Sequence, residues 1–302
     1  MPPRLQAFLA VVLWGISFVA TKAALREVSP VTLIFTRSAL GTTLLLTTLA
    51  ARRLPLVPPR ASWGPLALMG FVGVCFHQLL QAFGIRLTTA VQAGWIVGLI
   101  PIWSAVLAGL FLRERFGAGK VAGLALGFAG AALVVSRGRA TPDFLALPGT
   151  RGDLLMLAST LTWAIYTTLG HATIRRLGSL RATAGAMLFG GLMLVPLFLR
   201  AGGWREYATL SGVGLAAVLY LGIGASGLGY LFWCGALEKV ETSRVAAFLY
   251  LEPLVTLVTA VALLHEPVGL TTLAGGLVVL AGVALVQRAR LAPPLTEKET
   301  FR

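Results

Sequence analysis

Apolar residues run along this chain in stretches of about twenty, separated by short polar breaks. Ten such stretches are read, at about 5–25, 30–51, 64–85, 90–112, 118–136, 154–172, 182–199, 212–237, 245–264 and 268–286. The hydrocarbon core of a bilayer is crossed by about 20 helical residues at a rise of 1.5 Å each. Each stretch therefore predicts a transmembrane helix. The connections are mostly too short to hold a soluble domain. The first stretch begins at Leu5 with no small-residue cleavage site, and is read as a retained span. The pattern predicts an all-α polytopic membrane protein with ten transmembrane helices.

An internal repeat organises these helices. Shifted by 152 residues, Leu99–Val134 aligns without a gap on Leu251–Val286, with 14 of 36 positions identical, Pro101/Pro253, Gly123/Gly275 and Gly130/Gly282 among them. The first helices of each half match more weakly, through Trp14/Trp163 and Arg26/Arg175. The chain divides into two five-helix repeats, 1–140 and 150–288, and a tail, 289–302. Because five is odd, the second half enters the membrane upside down. The fold class is thus ten helices in two inverted five-helix repeats.

Charge gives the orientation. FLRERFG at Phe111–Gly117 recurs as LLHEPVG at Leu263–Gly269, with its basic residues replaced. Cytoplasmic loops retain Lys and Arg while exported loops lose them. With the N-terminus inside, the inner segments hold 16 of the 25 basic residues and the outer segments 8, Arg37 lying within a span. Both termini are expected on the cytoplasmic side of the cell inner membrane.

Composition narrows the class further. Hydrophobic residues make up 57 % of the 302 positions and charged residues 12 %, against roughly 25 % charged in soluble domains. The net charge of +14 lies in loops and forms no basic stripe interleaved with aromatics, so no nucleic-acid partner is expected. Cys75 and Cys234 both fall inside spans, without metal-ligand spacing, and read as buried structural thiols.

Two halves related by an axis in the membrane plane can open a midplane site alternately to each side, which points to a secondary transporter. LWGxxFVxxK at Leu13–Lys22, the spacing P-x12-E at Pro101/Glu114 and Pro253/Glu266, LEP at Leu251–Pro253, and G-x6-G near the end of each half carry a resemblance. On these motifs the chain resembles the drug/metabolite transporter superfamily in its EamA-type branch. Within it the chain looks most like bacterial exporters of amino acids and related metabolites, the aromatic-amino-acid exporters included. The resemblance implies a cavity formed by helices 1, 3, 4, 6, 8 and 9, with helices 5 and 10 peripheral. It implies a small-molecule substrate, surrounding lipid, no cofactor, and a monomer or homodimer.

Polar groups inside spans are the informative ones, since an unpaired polar group in hydrocarbon costs several kcal/mol. His77 and Gln81 share a helical face, with Gln78 adjoining. The stripe reads as a cavity wall, with helix–helix hydrogen bonding as the competing reading. The aromatic residues Trp14, Trp95, Trp163, Tyr166, Tyr230 and Tyr250 lie within spans rather than at the interface, where Trp63 and Trp204 fit. Their faces would suit apolar or aromatic amino acids, or a flat cation; a packed core competes for any single one.

Glu252, beside Pro253, breaks the repeat symmetry, and is read as a proton carrier or as a partner for backbone freed by the proline. Arg37 is read as pairing with a carboxylate or snorkelling outward and receives no chemistry; the cavity is expected to hold little fixed charge, and phosphorylated substrates are disfavoured. Organic cations remain the alternative cargo. A membrane enzyme fits worse: HEPVG lacks the second histidine of HExxH, Ser226 lacks the GxSxG frame, and no Walker sequence exists.

Overall fold

The computed structural model describes residues 1–112, 117–139, 149–240, 245 and 247–291. The turn bearing Arg113, Glu114 and Arg115, and the tail from 292, lie outside the described residues. The described residues form ten helical passes and no strand. In chain order these are α1 (Pro3–Ala24), α2 (Pro30–Ala51), α3 (Trp63–Met69, Gly70–Phe76 and His77–Leu87), α4 (Ala90–Val97 and Ile100–Leu112) and α5 (Ala118–Ser136). The second half supplies α6 (Thr150–Leu177), α7 (Ser179–Arg200), α8 (Gly212–Leu219, Tyr220–Gly229 and Tyr230–Leu237), α9 (Ala247–Leu251 and Glu252–Leu264) and α10 (Leu270–Leu291).

Local chemistry starts and stops these helices. Ser29, Thr89 and Ser211 cap α2, α4 and α8, each side chain accepting from an amide three residues on. Among the described residues nine passes are long and apolar enough to span a bilayer by length and composition, and α6 is the exception. It runs for 28 residues, well past the expected 154–172, with Asp153 in its first turn and Arg175 and Arg176 in its last. Those charges complement the helix dipole and extend the helix at both ends. Its lower hydropathy comes from Ser159, Thr160, Thr162, Thr167 and Thr168, whose hydroxyls all donate to carbonyls three or four residues earlier. Back-bonded in this way, they satisfy themselves without water.

Packing follows the repeat. The pairs α1–α8 and α3–α6 correspond, as do α1–α9 and α4–α6, and α2–α8 and α3–α7. Three passes instead meet their own counterparts, as α2–α7, α4–α9 and α5–α10. The last pair shows the inversion most directly. A Cβ built on Gly123 would stand 2.7 Å from the Gly282 carbonyl oxygen, and one on Gly130 2.7 Å from that of Gly275. As one helix ascends in number the other descends, so they run antiparallel, and each contact is the other's repeat image. Only glycine lets two backbones approach this closely.

Candidate functional site

Both α4 and α9 are interrupted at the same repeat position. Proline lacks an N–H and its ring clashes with the carbonyl of the preceding turn. Pro101 follows the gap between Val97 and Ile100, and Pro253 follows the 3₁₀ turn Ala247–Leu251. A second pair of irregularities lies in α3 and α8. Gly70–Phe76 and Tyr220–Gly229 are π-helical, again at corresponding positions. A π turn admits an extra residue and rotates the helix that follows. The first of these segments delivers His77, Gln78 and Gln81, and the second delivers Tyr230.

The breaks and π segments surround one cavity, with about 80 Å³ open to water. At 10–15 Å³ per water this holds roughly five to eight molecules. Of the residues singled out by sequence, Trp14, His77, Gln78 and Gln81 stand on its wall from the first half. Trp163, Tyr230, Tyr250 and Glu252 line it from the second.

An aromatic belt joins the two halves. Trp14 meets Tyr230 edge-on at 5.3 Å, Tyr230 lies 6.4 Å from Trp163, and Trp163 lies 5.0 Å from the His77 ring. Backbone groups fix the belt. The Trp14 indole donates to the Ala225 carbonyl at 3.0 Å, within the π segment of α8. His77 Nδ1 sits 2.8 Å from the Ser159 carbonyl oxygen, which can only accept. Nδ1 therefore carries a proton in this contact.

Two aromatic residues are placed otherwise than expected. Trp95 is fully buried and lies where a side chain at Gly276 of α10 would be, so it packs the core instead of lining the cavity. Tyr166 stands behind Trp163 at a ring distance of 5.1 Å and presses on Gly73, supporting the wall without forming it.

The fixed charge of the cavity also differs from the expectation. Arg37 of α2 is 6 % exposed and lines the cavity. Its Nε donates to the Ser226 hydroxyl, 3.0 Å away on the π segment of α8. Glu252 lines the same cavity from the first turn of the continuous part of α9, where the helix dipole favours a carboxylate. The ion pairs formed among the described residues are Arg137–Asp153 at 3.1 Å and Arg52–Glu238 at 4.0 Å, so Arg37 and Glu252 share a cavity without forming an ion pair.

One end of the bundle is tied across the two halves. The connections α1–α2, α3–α4, α5–α6, α7–α8 and α9–α10 share one membrane face, which we term the odd-loop face. Among the described residues, four carboxylates there reach from one half to the other. Glu266 accepts from the Ala90 and Val91 amides at 2.9 and 3.0 Å, at the N-terminus of α4. The buried Asp153 accepts from the Thr88 hydroxyl and pairs with Arg137. Glu27 accepts from the Ser211 amide and hydroxyl, both at 2.7 Å, and Glu206 from the Ser29 amide at 2.6 Å. Sequence reasoning missed these ties. Glu27, Glu206 and Glu266 each join a helix start far along the chain, signalled only by the cap residues Ser29, Thr89 and Ser211, while Asp153 meets Thr88 and Arg137 at the ends of α3 and α5.

Comparison with known proteins agrees with this architecture. Residues 2–136 and 150–288 each match the EamA-like transporter family. A protein of Archaeoglobus fulgidus described as an uncharacterized transporter is 32 % identical over 277 residues, spanning 92 % of this chain and 94 % of its own. A Streptantibioticus cattleyicolor protein described as a probable terminal-alkyne amino-acid exporter is 30 % identical, spanning 94 % and 92 %. A solved crystal structure, 21 % identical, superposes with a TM-score of 0.67 over 95 % of this chain and 98 % of its own, which speaks to the fold alone. With two family matches, ten helical passes among the described residues and a cavity lined by both halves, the chain belongs to the EamA-like transporter family.

Proposed function

We propose that this protein exports neutral amino acids, preferring aromatic and large apolar side chains, by alternating access through the central cavity. The observation that carries the reading is the belt of Trp14, Tyr230, Trp163 and His77, which brings both halves to one enclosed space at the broken helices. Aromatic faces accept flat apolar side chains by stacking. The amino-acid exporter among its relatives supports the same class of cargo. Organic cations are a second reading, favoured by Glu252 among aromatic rings.

The test is export from proteoliposomes loaded with tryptophan, phenylalanine, leucine, glutamate or a quaternary ammonium compound, without ATP. Tryptophan and phenylalanine are expected to leave fastest. Movement of only the ammonium compound would select the second reading, and movement of none would remove both.

Orientation follows from the basic residues, so the odd-loop face is the exterior and the halves 1–140 and 150–288 are the moving units. In intact cells a cysteine at Pro267 is expected to react with a membrane-impermeant thiol reagent, and one at Arg53 is not. Cys75 and Cys234 are buried and contribute little background. The opposite labelling pattern would reverse the assignment.

A further inference from the structure

A buried guanidinium and a buried carboxylate that share a cavity would ordinarily pair. Here Arg37 and Glu252 face the same space, 6 % and 8 % exposed, with no ion pair between them. The separation is built in. Ser226 draws Arg37 toward α8 through Nε, and the Pro253 break fixes Glu252 at the start of a helical segment in α9. With Nε engaged by Ser226, the two terminal nitrogens remain, and their planar fork matches the two oxygens of a carboxylate. Nearby on the wall, the Gln78 side-chain oxygen and the Tyr250 hydroxyl are buried without a partner. Unpaired buried polar groups are expensive and call for a ligand that answers them.

We propose that Arg37, positioned by Ser226, binds the carboxylate of the substrate while Glu252 binds its ammonium group. A dipolar ligand lying between them neutralises both charges at once. The aromatic belt then meets the side chain. This rests on the amino-acid reading above and deepens it, because it makes the carboxylate a requirement for transport. It also separates the two cargoes: an organic cation answers Glu252 and leaves Arg37 unmatched. Ser226 is a positioning residue, acting on the substrate only through Arg37.

The experiment compares export of phenylalanine, phenylalanine amide and phenethylamine from proteoliposomes. The three share a ring and an amine, and only the first has a carboxylate. The parent protein is expected to move phenylalanine at least about tenfold faster than either analogue. In Arg37→Gln that preference disappears; in Arg37→Lys it is partly kept, since the charge survives and the fork does not. Ser226→Ala is expected to raise KM for phenylalanine several-fold with kcat little changed, which general loss of structure would not do.

Equal transport of phenylalanine and its amide by the parent overturns the Arg37 assignment and leaves the amino-acid reading standing. A folded Arg37→Gln that keeps the full preference overturns it as well. If Arg37→Gln does not reach the membrane, the parent's preference and the Ser226→Ala kinetics decide. A parent that moves none of the tested amino acids overturns the amino-acid reading itself, and the assignment with it.

Discussion

Trp163→Ala is expected to lower export of tryptophan and phenylalanine at least about tenfold, with the protein still folded in the membrane. Its indole is the hub of the aromatic belt, 5.0 Å from His77, 5.1 Å from Tyr166 and 6.4 Å from Tyr230. Aromatic pairs are worth about 0.5–1.5 kcal/mol beyond the area they bury, and a large ring covers about 150–250 Å². Removing the ring takes away a stacking face and slackens three neighbours, so a loss of at least about 1.4 kcal/mol, or tenfold, is modest. Trp163→Phe keeps a face and is expected to stay within a few-fold of the parent. Rates should be measured on protein that elutes as a single species. A folded Trp163→Ala that exports aromatic amino acids at the parent rate would place the substrate elsewhere.

The second large effect concerns the ties on the odd-loop face. Combining Glu266→Gln with Asp153→Asn is expected to move the resting population toward a state open on that face. A cysteine at Gln81, on the cavity wall, would then label from outside much faster. Hydrogen bonds to charged groups contribute about 1.5–3 kcal/mol each. Losing two such ties costs the closed state about 3 kcal/mol, which shifts a two-state balance on the order of a hundredfold. Mild acid is expected to leave the Glu27 tie in place. The Ser211 hydroxyl and amide hold the Glu27 carboxyl below its ordinary range, so this tie persists at neutral and mildly acidic pH and fails only as pH falls through that lowered value. Unchanged labelling of Gln81→Cys in the folded double variant would show that these contacts do not gate.

The helices were readable because lipid demands length and apolarity, and because two halves of one sequence report on each other. Pro253 was read as freeing backbone in α9, whereas Pro101 entered only as its repeat partner, although proline acts on its own turn in both. Trp14, His77, Gln78, Gln81, Trp163, Tyr230, Tyr250 and Glu252 stand around one cavity because polar and aromatic groups inside spans have few other places to go. What escaped was whatever depends on a distant partner. Trp95 belongs to the core because α10 offers Gly276 as a slot for its ring, 181 residues along the chain. Arg37 seemed to lack chemistry because its partner, Ser226, lies 189 residues away on a π segment that no local rule predicts. The α6 extension escaped because charged ends read as loop until the helix dipole is counted.

The glycine contact between α5 and α10 carries a mechanical consequence. Gly123 against Gly282 and Gly130 against Gly275 are images of one another, so the pseudo-two-fold axis passes between them. Points on a rotation axis do not travel when the bodies around it exchange shapes. If the halves rock, this seam turns in place like an axle, looking the same whichever side of the membrane is open. A bulky residue there would strain both states equally and leave their ratio untouched, depleting the transporter without biasing it. Sensitivity to direction is expected at the rim, where Glu27, Asp153, Glu206 and Glu266 hold one half to the other.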